Sequence, residues 1–349
     1  MMDASTQPAA WRRGAFRCAL AAMLFGATTP MASRLAEDTS APTLAGLLYL
    51  GAAAAVAPFV SRTTSPLVVL RRGGRRLAVA VVAGGMLGPV LLTAGLSRTP
   101  AATASLLLNL ELVATTVLAA VFFREYLGPR VVAGTALVVG AGLTLGWSDV
   151  PQLRLGALLI VGACVCWGLD NCVTAELDEV APEHITFAKG VIAGTTNLAI
   201  GVAVSGGVAP LGVTAAAVAL GAVGYGASIT LWVQGARAIG AARGQLVFST
   251  APFIGVLLAW GVLGDNVTSA QLGALALAAV GVTLVLHSGH EHDHPHAELD
   301  HEHEHEHDEH HQHGHVATVT APRHTHRHHH TPVVHAHPHV PDLHHRHPH

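Results

Sequence analysis

The chain has 349 residues, of which 51% are apolar and only 12% charged, and its mean hydropathy is +0.46. That composition lies outside the range of ordinary water-soluble domains. The formal net charge of −3 leaves no basic surplus, which excludes nucleic acid as a partner.

These averages hide a division. Residues 1–287 carry a net charge of +4, whereas residues 288–349 carry −7 and hold 24 of the 26 histidines. A hydrocarbon core about 30 Å thick takes about 20 residues of helix. Ten apolar runs approach that length, at 14–36, 42–61, 76–97, 100–123, 129–147, 154–177, 184–205, 211–234, 241–262 and 269–287. The breaks between them collect arginine, acid and proline, as in Arg71, Arg72, Arg75 and Arg76, and read as loops. The first run follows Arg12, Arg13 and Arg17 like a signal peptide, but its length and the nine runs behind it predict an uncleaved first span. With the N-terminus inside, twelve arginines fall on inner segments and three (Arg34, Arg98, Arg154) on outer ones. The positive-inside rule then predicts an inner or plasma membrane protein with both termini cytoplasmic and the lipid bilayer as its surroundings.

The two halves resemble each other. At an offset of 140, residues 101–125 lie over 241–265, setting Glu125 over Asp265. At 139, Gly142-Leu143-Thr144-Leu145 lies over Gly281-Val282-Thr283-Leu284, and at 142 Phe25-Gly26 lies over Trp167-Gly168. Five is an odd number of spans, so the second half enters the membrane from the opposite side. The expected fold is an all-α membrane protein of ten transmembrane helices in two inverted five-helix repeats, with a disordered C-terminal tail. The expected divisions are a short N-terminus at 1–13, repeats at 14–147 and 154–287, and the tail at 288–349.

A charge at the centre of a spanning helix costs about 2.5–3.5 kcal/mol on insertion scales, so it persists where it faces protein, water or a partner. Glu111, near the middle of the fourth run, is a contact for substrate, proton or cation, or else a helix-packing hydrogen bond. Asp170, in the sixth run, shares a helical face with Cys166 and Thr174 and forms a polar stripe with them. Asn109 and Asn171 stand beside these acids and complete the candidate pathway. Lys189, the only lysine, lies close enough to the inner interface to snorkel, or within reach of Asp170 or Glu111 for an ion pair. Cys164 and Cys166 project about 200° apart on a helix and cannot chelate one metal together. Pro30, Pro89 and Pro252 sit in or at the ends of spans, with Gly84, Gly85 and Gly88 near Pro89; such breaks mark carrier sites, and small residues also permit close packing.

Leu107-Leu108-Asn109-Leu110-Glu111, then Leu118-Ala119 and Glu125, Cys166-Trp167-Gly168-Leu169-Asp170-Asn171, Lys189-Gly190-Val191-Ile192-Ala193-Gly194 and Ser249-Thr250-Ala251-Pro252-Phe253 give the sequence a family likeness over residues 14–287. It resembles the EamA-type carriers of the drug/metabolite transporter superfamily. Two positions depart from that pattern, Leu112 where proline usually follows the glutamate and Asp265 where glutamate is usual. The resemblance implies alternating-access movement of a small solute, with the cargo unspecified.

Residues 288–349 lack aromatic side chains and cannot bury enough apolar area to offset chain entropy, so disorder is expected there. His301, His303, His305 and His307 alternate with glutamates, and His310, His311, His313 and His315 follow. Neutral imidazoles in flexible copies suit zinc, nickel, cobalt or copper, so divalent metal ions are expected partners of the tail, with no cofactor required by the spans. The expectation is a secondary carrier and not an enzyme: no catalytic triad can be assembled, and no nucleotide-binding G-x-x-x-x-G-K-[ST] loop occurs. The rival readings are a nickel, cobalt or zinc carrier and a membrane-anchored metal sensor. Oligomeric state is not legible.

Overall fold

The computed structural model describes residues 7–60, 74–123, 127–146, 150–175, 177, 182–239, 244, 247–286, 293–296, 299–305, 324–330 and 333–336. From residue 7 to residue 286 the described chain is helical. Nine of its helices are long and apolar enough to cross a membrane. The run expected at 241–262 is described as a shorter apolar helix, Ala251–Gly261.

In chain order the helices are α1 (Gln7–Leu35), α2 (Ala41–Val56), α3 (Gly74–Leu96), α4a (Ala101–Leu107), α4b (Leu110–Phe123), α5 (Pro129–Gly146), α6 (Pro151–Ala175) and α7 (Pro182–Ser205). There follow α8, built from Leu211–Gly221, Ala222–Ala227 and Ser228–Ile239, then α9 (Ala251–Gly261) and α10 (Ser269–Leu286). Proline opens α5, α6 and α7, where its missing N–H would have no intrahelical partner. The Ser40 hydroxyl caps α2 by accepting from the Thr43 N–H.

Three interruptions matter. The fourth run, expected to be continuous, breaks at Leu108 and Asn109 between α4a and α4b. The Asn109 amide folds back to donate to the Leu106 carbonyl, competing with the helix ladder. Ala80–Leu87 of α3 is a π segment that ends just before Pro89. Proline offers no N–H to the carbonyls of Gly84 and Gly85, which leaves them for other donors. The third is Ala222–Ala227 of α8, also a π segment.

The packing pairs α2 with α7 and α5 with α10. α3 packs on α6 as α8 packs on α1, and α4b packs on α6 as α9 packs on α1. α2 and α7 run antiparallel, since Gly190 lies against Tyr49 and Ala53 whereas Gly201 lies against Thr43. α5 and α10 meet at glycines: a Cβ at Gly134 would fall 2.6 Å from the Gly281 carbonyl oxygen, and one at Gly281 would fall 2.7 Å from that of Gly134. Only glycine lets the two backbones approach so closely. The main buried cluster, including Leu44, Leu48, Leu92, Leu107, Ile160 and Trp167, joins helices of both halves.

In the tail, the described residues form paired strands. β1 (Asp293–His296) pairs with β4 (Val333–Ala336), and β2 (Leu299–His305) pairs with β3 (His324–His330), all antiparallel. The alternation of histidine with acid suits extended backbone, and Glu302 stands opposite Arg327. A two-stranded ribbon without further strands is marginal in water, so these ladders are the weakest elements of the fold.

Candidate functional site

Five helices bring their polar side chains to one place. α6 contributes Trp167, Asp170, Asn171 and Thr174, α7 contributes Lys189 and Asn197, and α4b contributes Glu111 and Thr115. α3 contributes its π segment and α2 contributes Tyr49. Lys189 Nζ donates to Asp170 Oδ2, and the two side chains are 15% and 8% exposed. Of the two expectations for Lys189, snorkelling and pairing, the ion pair is the one realised. The Thr174 hydroxyl donates to Asp170 Oδ1 at 3.1 Å, so each carboxylate oxygen has a donor. A buried carboxylate needs such partners, because an uncompensated charge is costly in a medium of low dielectric.

Beside this pair, Asn171 Nδ2 donates to Glu111 Oε1 at 3.1 Å and to Thr115 Oγ1 at 3.2 Å. Glu111 opens α4b just after the break, in the first turn where the helix dipole favours a negative charge. Two carboxylates and one ammonium therefore share the site, and the Glu111 carboxylate accepts from the neutral Asn171 amide. Asn171 is exposed and Glu111 half-buried, so this edge of the cluster is open.

The π segment of α3 forms the back wall. Gly84 O accepts from Trp167 Nε1 at 3.1 Å and from the Tyr49 hydroxyl at 2.7 Å. Asn197 Nδ2 donates to Gly85 O at 3.3 Å and Met86 O at 3.2 Å. The carbonyls freed by Pro89 are thus satisfied by side chains. Gly84 also gives Asp170 its seat: a Cβ there would overlap the carboxylate. From Tyr49 a row of rings leads onward, with Tyr49–Tyr225 centroids 5.9 Å apart, Tyr225–Phe25 5.7 Å, Phe25–Phe248 5.2 Å and Phe248–Trp232 6.1 Å.

The opposite end of α6 is closed by hydrogen bonds. Arg34 Nη2 donates to Leu263 O at 2.9 Å, and Asp265 Oδ2 accepts from the Ala102 N–H at 2.9 Å, capping α4a. Gln271 Nε2 donates to Thr103 Oγ1 at 3.0 Å. A cavity of about 220 Å³ lies at this end, lined in part by Ser33, Arg34, Glu37, Arg98, Thr99 and Asp265.

Among the residues singled out from sequence, Glu111, Asn171, Asp170, Thr174 and Lys189 come together. Asn109 does not join them; it is buried and spends its amide on its own chain. Thr115, Tyr49 and Asn197 are additions, and Trp167, quoted from sequence only for the family likeness, joins them. Thr115 was legible four residues after Glu111 on one helical face. Trp167, Tyr49 and Asn197 answer carbonyls that Pro89 leaves open. Cys164 is buried and its thiol donates to Leu107 O at 3.7 Å, which accords with packing; all four cysteines are free thiols. His301, His303 and His305 lie on β2, whereas His307, His310, His311, His313 and His315 lie outside the described residues. Among the described residues no group of three metal-ligating side chains is found.

Comparison with known families agrees with this arrangement. The model of the EamA-like transporter family matches the chain twice, at residues 12–146 and 154–287. The chain belongs to the EamA-like transporter family. It is thus a multi-pass membrane protein of a transporter family, built from two EamA-like units whose limits fall within three residues of the first and last spans of each half. A solved structure titled "Crystal structure of protein" has a TM-score of 0.56 to this EamA-like chain at 20% identity, over 78% of this chain and 97% of that one. At that identity the likeness speaks to the fold alone. No curated protein matches the chain.

Proposed function

We propose that this EamA-like chain is a secondary carrier that moves a small organic solute by alternating access, with no chemical step. The observation that carries this reading is the cluster of Asp170, Lys189, Glu111, Asn171, Thr115 and Thr174, held where helices of both EamA-like units meet. Charges inside spanning helices are retained for function or for a partner, and this cluster has one open edge. The solute enters at that edge, meets the Glu111 carboxylate and the Asn171 amide, and exchanges partners with the Asp170–Lys189 pair.

In this proposal the ten spans form two inverted repeats with both termini cytoplasmic. Three observations support the inversion. Each helix of the first half exchanges with its counterpart in the packing scheme, the counterparts α2 and α7 are antiparallel, and the π segments fall at equivalent places in α3 and α8. An axis relating antiparallel spans lies in the membrane plane, and a carrier of this kind opens alternately as the halves exchange shapes.

Reconstituted vesicles holding either the full chain or a truncation ending at His287 provide the test, with uptake of a metabolite panel and of nickel, cobalt and zinc followed in parallel. Flux of an organic solute through both proteins is expected. Metal flux that survives truncation would replace this reading with a metal carrier, and metal binding without any flux would replace it with a sensor.

A further inference from the structure

We propose that the cleft between α4b, α5 and α6 is a phospholipid site, which holds one acyl chain along its length and the phosphate on Arg154 at its end. The cleft has a volume of about 460 Å³. Its walls are apolar and include Leu110 of α4b, Leu143 of α5, and Leu158 and Val165 of α6. Arg154, one turn into α6, is the one charged residue among the described residues of the lining. Leu143, Leu158 and Val165 are exposed, so the cleft opens sideways at membrane depth.

Sequence and packing together leave this space. α5 spends its closest contact on α10, where Gly134 meets Gly281, and leans on α4b at Gly142, whose Cβ would fall 2.8 Å from Leu110 Cδ1. Towards α6 it ends in Gly146, where an added Cβ would meet the Ala157 Cβ at an ordinary 3.8 Å. A glycine opposite an alanine puts no long side chain into the cleft, so the space beside Arg154 stays open. The dimensions fit one leaflet. From Arg154 to Val165 the cleft follows α6 for eleven residues, about 16 Å at 1.5 Å per residue, and half of a hydrocarbon core of about 30 Å is about 15 Å. Charge fixes the direction: Arg154 lies near the start of the span Pro151–Thr174, at the level of the headgroups, and Val165 lies near its centre. A guanidinium binds phosphate oxygens in a bidentate manner, and such charge-assisted bonds are the strong ones. Water finds no partners along apolar walls, so an acyl chain is the occupant that the bilayer supplies.

The test uses the full chain, delipidated in a nonionic detergent and titrated with palmitoyl-oleoyl-phosphatidylglycerol or with the diacylglycerol of the same chains. No solute is added, and bound lipid is counted by native mass spectrometry. One saturable phospholipid per chain is expected, bound about tenfold or more tightly than the diacylglycerol. R154Q is expected to weaken phospholipid binding about tenfold and to leave diacylglycerol binding unchanged, whereas V161W, which fills the cleft, weakens both about tenfold. The controls are R98Q, whose arginine lies beside Gly156 at the same end of α6, and L272W on the exposed side of α10; each changes either affinity by less than about twofold. An unchanged helical signal and elution volume verify the variants, and the comparison of the two lipids on the unaltered protein needs no variant. The proposal is overturned if phospholipid binding does not saturate, if the diacylglycerol binds as tightly, if R98Q loses as much as R154Q, or if V161W binds like the unaltered protein.

Discussion

The crossing of α3 over α6 and the crossing of α8 over α1 occupy equivalent places in the two halves, and they are built alike up to one point. In each, a glycine of a π segment lies against a side chain of the crossing helix, Gly84 against Asp170 and Gly224 against Thr28. At the first crossing that side chain is a carboxylate paired with Lys189. At the second it is a hydroxyl whose donation, to Leu24 O at 3.0 Å, stays within its own helix. The first π segment has three side-chain donors from α2, α6 and α7; in the second, Thr230 of the same helix donates to Gly226 O at 2.9 Å, and Phe25 stands where the first has Trp167. One backbone plan has been given a polar lining on one side and an apolar one on the other. On the proposed function, the symmetric scaffolding would supply the means of motion and the asymmetric lining the site.

The comparison breaks hardest at the carboxylate. Asp170→Asn leaves the Lys189 ammonium buried without a counter-charge, and thermal unfolding in detergent is expected to register a loss of about 3–5 kcal/mol. The double variant Asp170→Asn/Lys189→Met recovers most of that loss, whereas Thr28→Val at the equivalent crossing costs about 1 kcal/mol or less. Equal penalties at Asp170 and Thr28 would mean that the two crossings do not differ as described. Next in size is the glycine beneath each side chain. Gly84→Ala drives a methyl into a carboxylate fixed by two donors and is expected to cost about 1–3 kcal/mol in the same melts. Gly224→Ala costs less, since Thr28 can turn to another rotamer.

Smaller effects sharpen the picture. Trp167→Phe makes the first crossing resemble the second; it removes one of two donors to Gly84 O and is expected to cost about 0.5–1.5 kcal/mol. Glu111→Gln keeps an oxygen for the Asn171 amide and removes only the charge. Its melting shift is expected to stay below about 1 kcal/mol, while solute counterflow in vesicles is lost. A stable Glu111→Gln protein that still carries solute would take Glu111 out of the pathway.

The spans were legible because hydrocarbon thickness fixes their length, so runs such as 42–61 and 269–287 return as α2 and α10 with shifts of a few residues. The break at Leu108 and Asn109 was hidden, since the run continues apolar on both sides and only the fold-back of one amide marks it. The Asp170–Lys189 pair was one of two outcomes left open, because snorkelling and pairing depend on where α7 is packed and not on its sequence. Asn109 looked equivalent to Asn171 in type and neighbourhood, yet the tertiary partner across α4b and α6 exists only for Asn171. The strand pairing of the tail was not legible at all, because alternation of histidine and acid reads alike in solvated chain and in ribbon.

The central claim is that the two ends of the bundle open in turn around the Asp170 cluster. It is tested most directly by replacing Cys18, Cys164, Cys166 and Cys172, then adding a single cysteine either as Ser33→Cys, at the cavity of the Arg34 end, or as Thr174→Cys, at the opposite end of α6. Alkylation rates with a membrane-impermeant maleimide are measured with and without a carried solute. Opposite changes at the two positions are the predicted result. Rates that ignore solute, or that rise and fall together, would contradict the account.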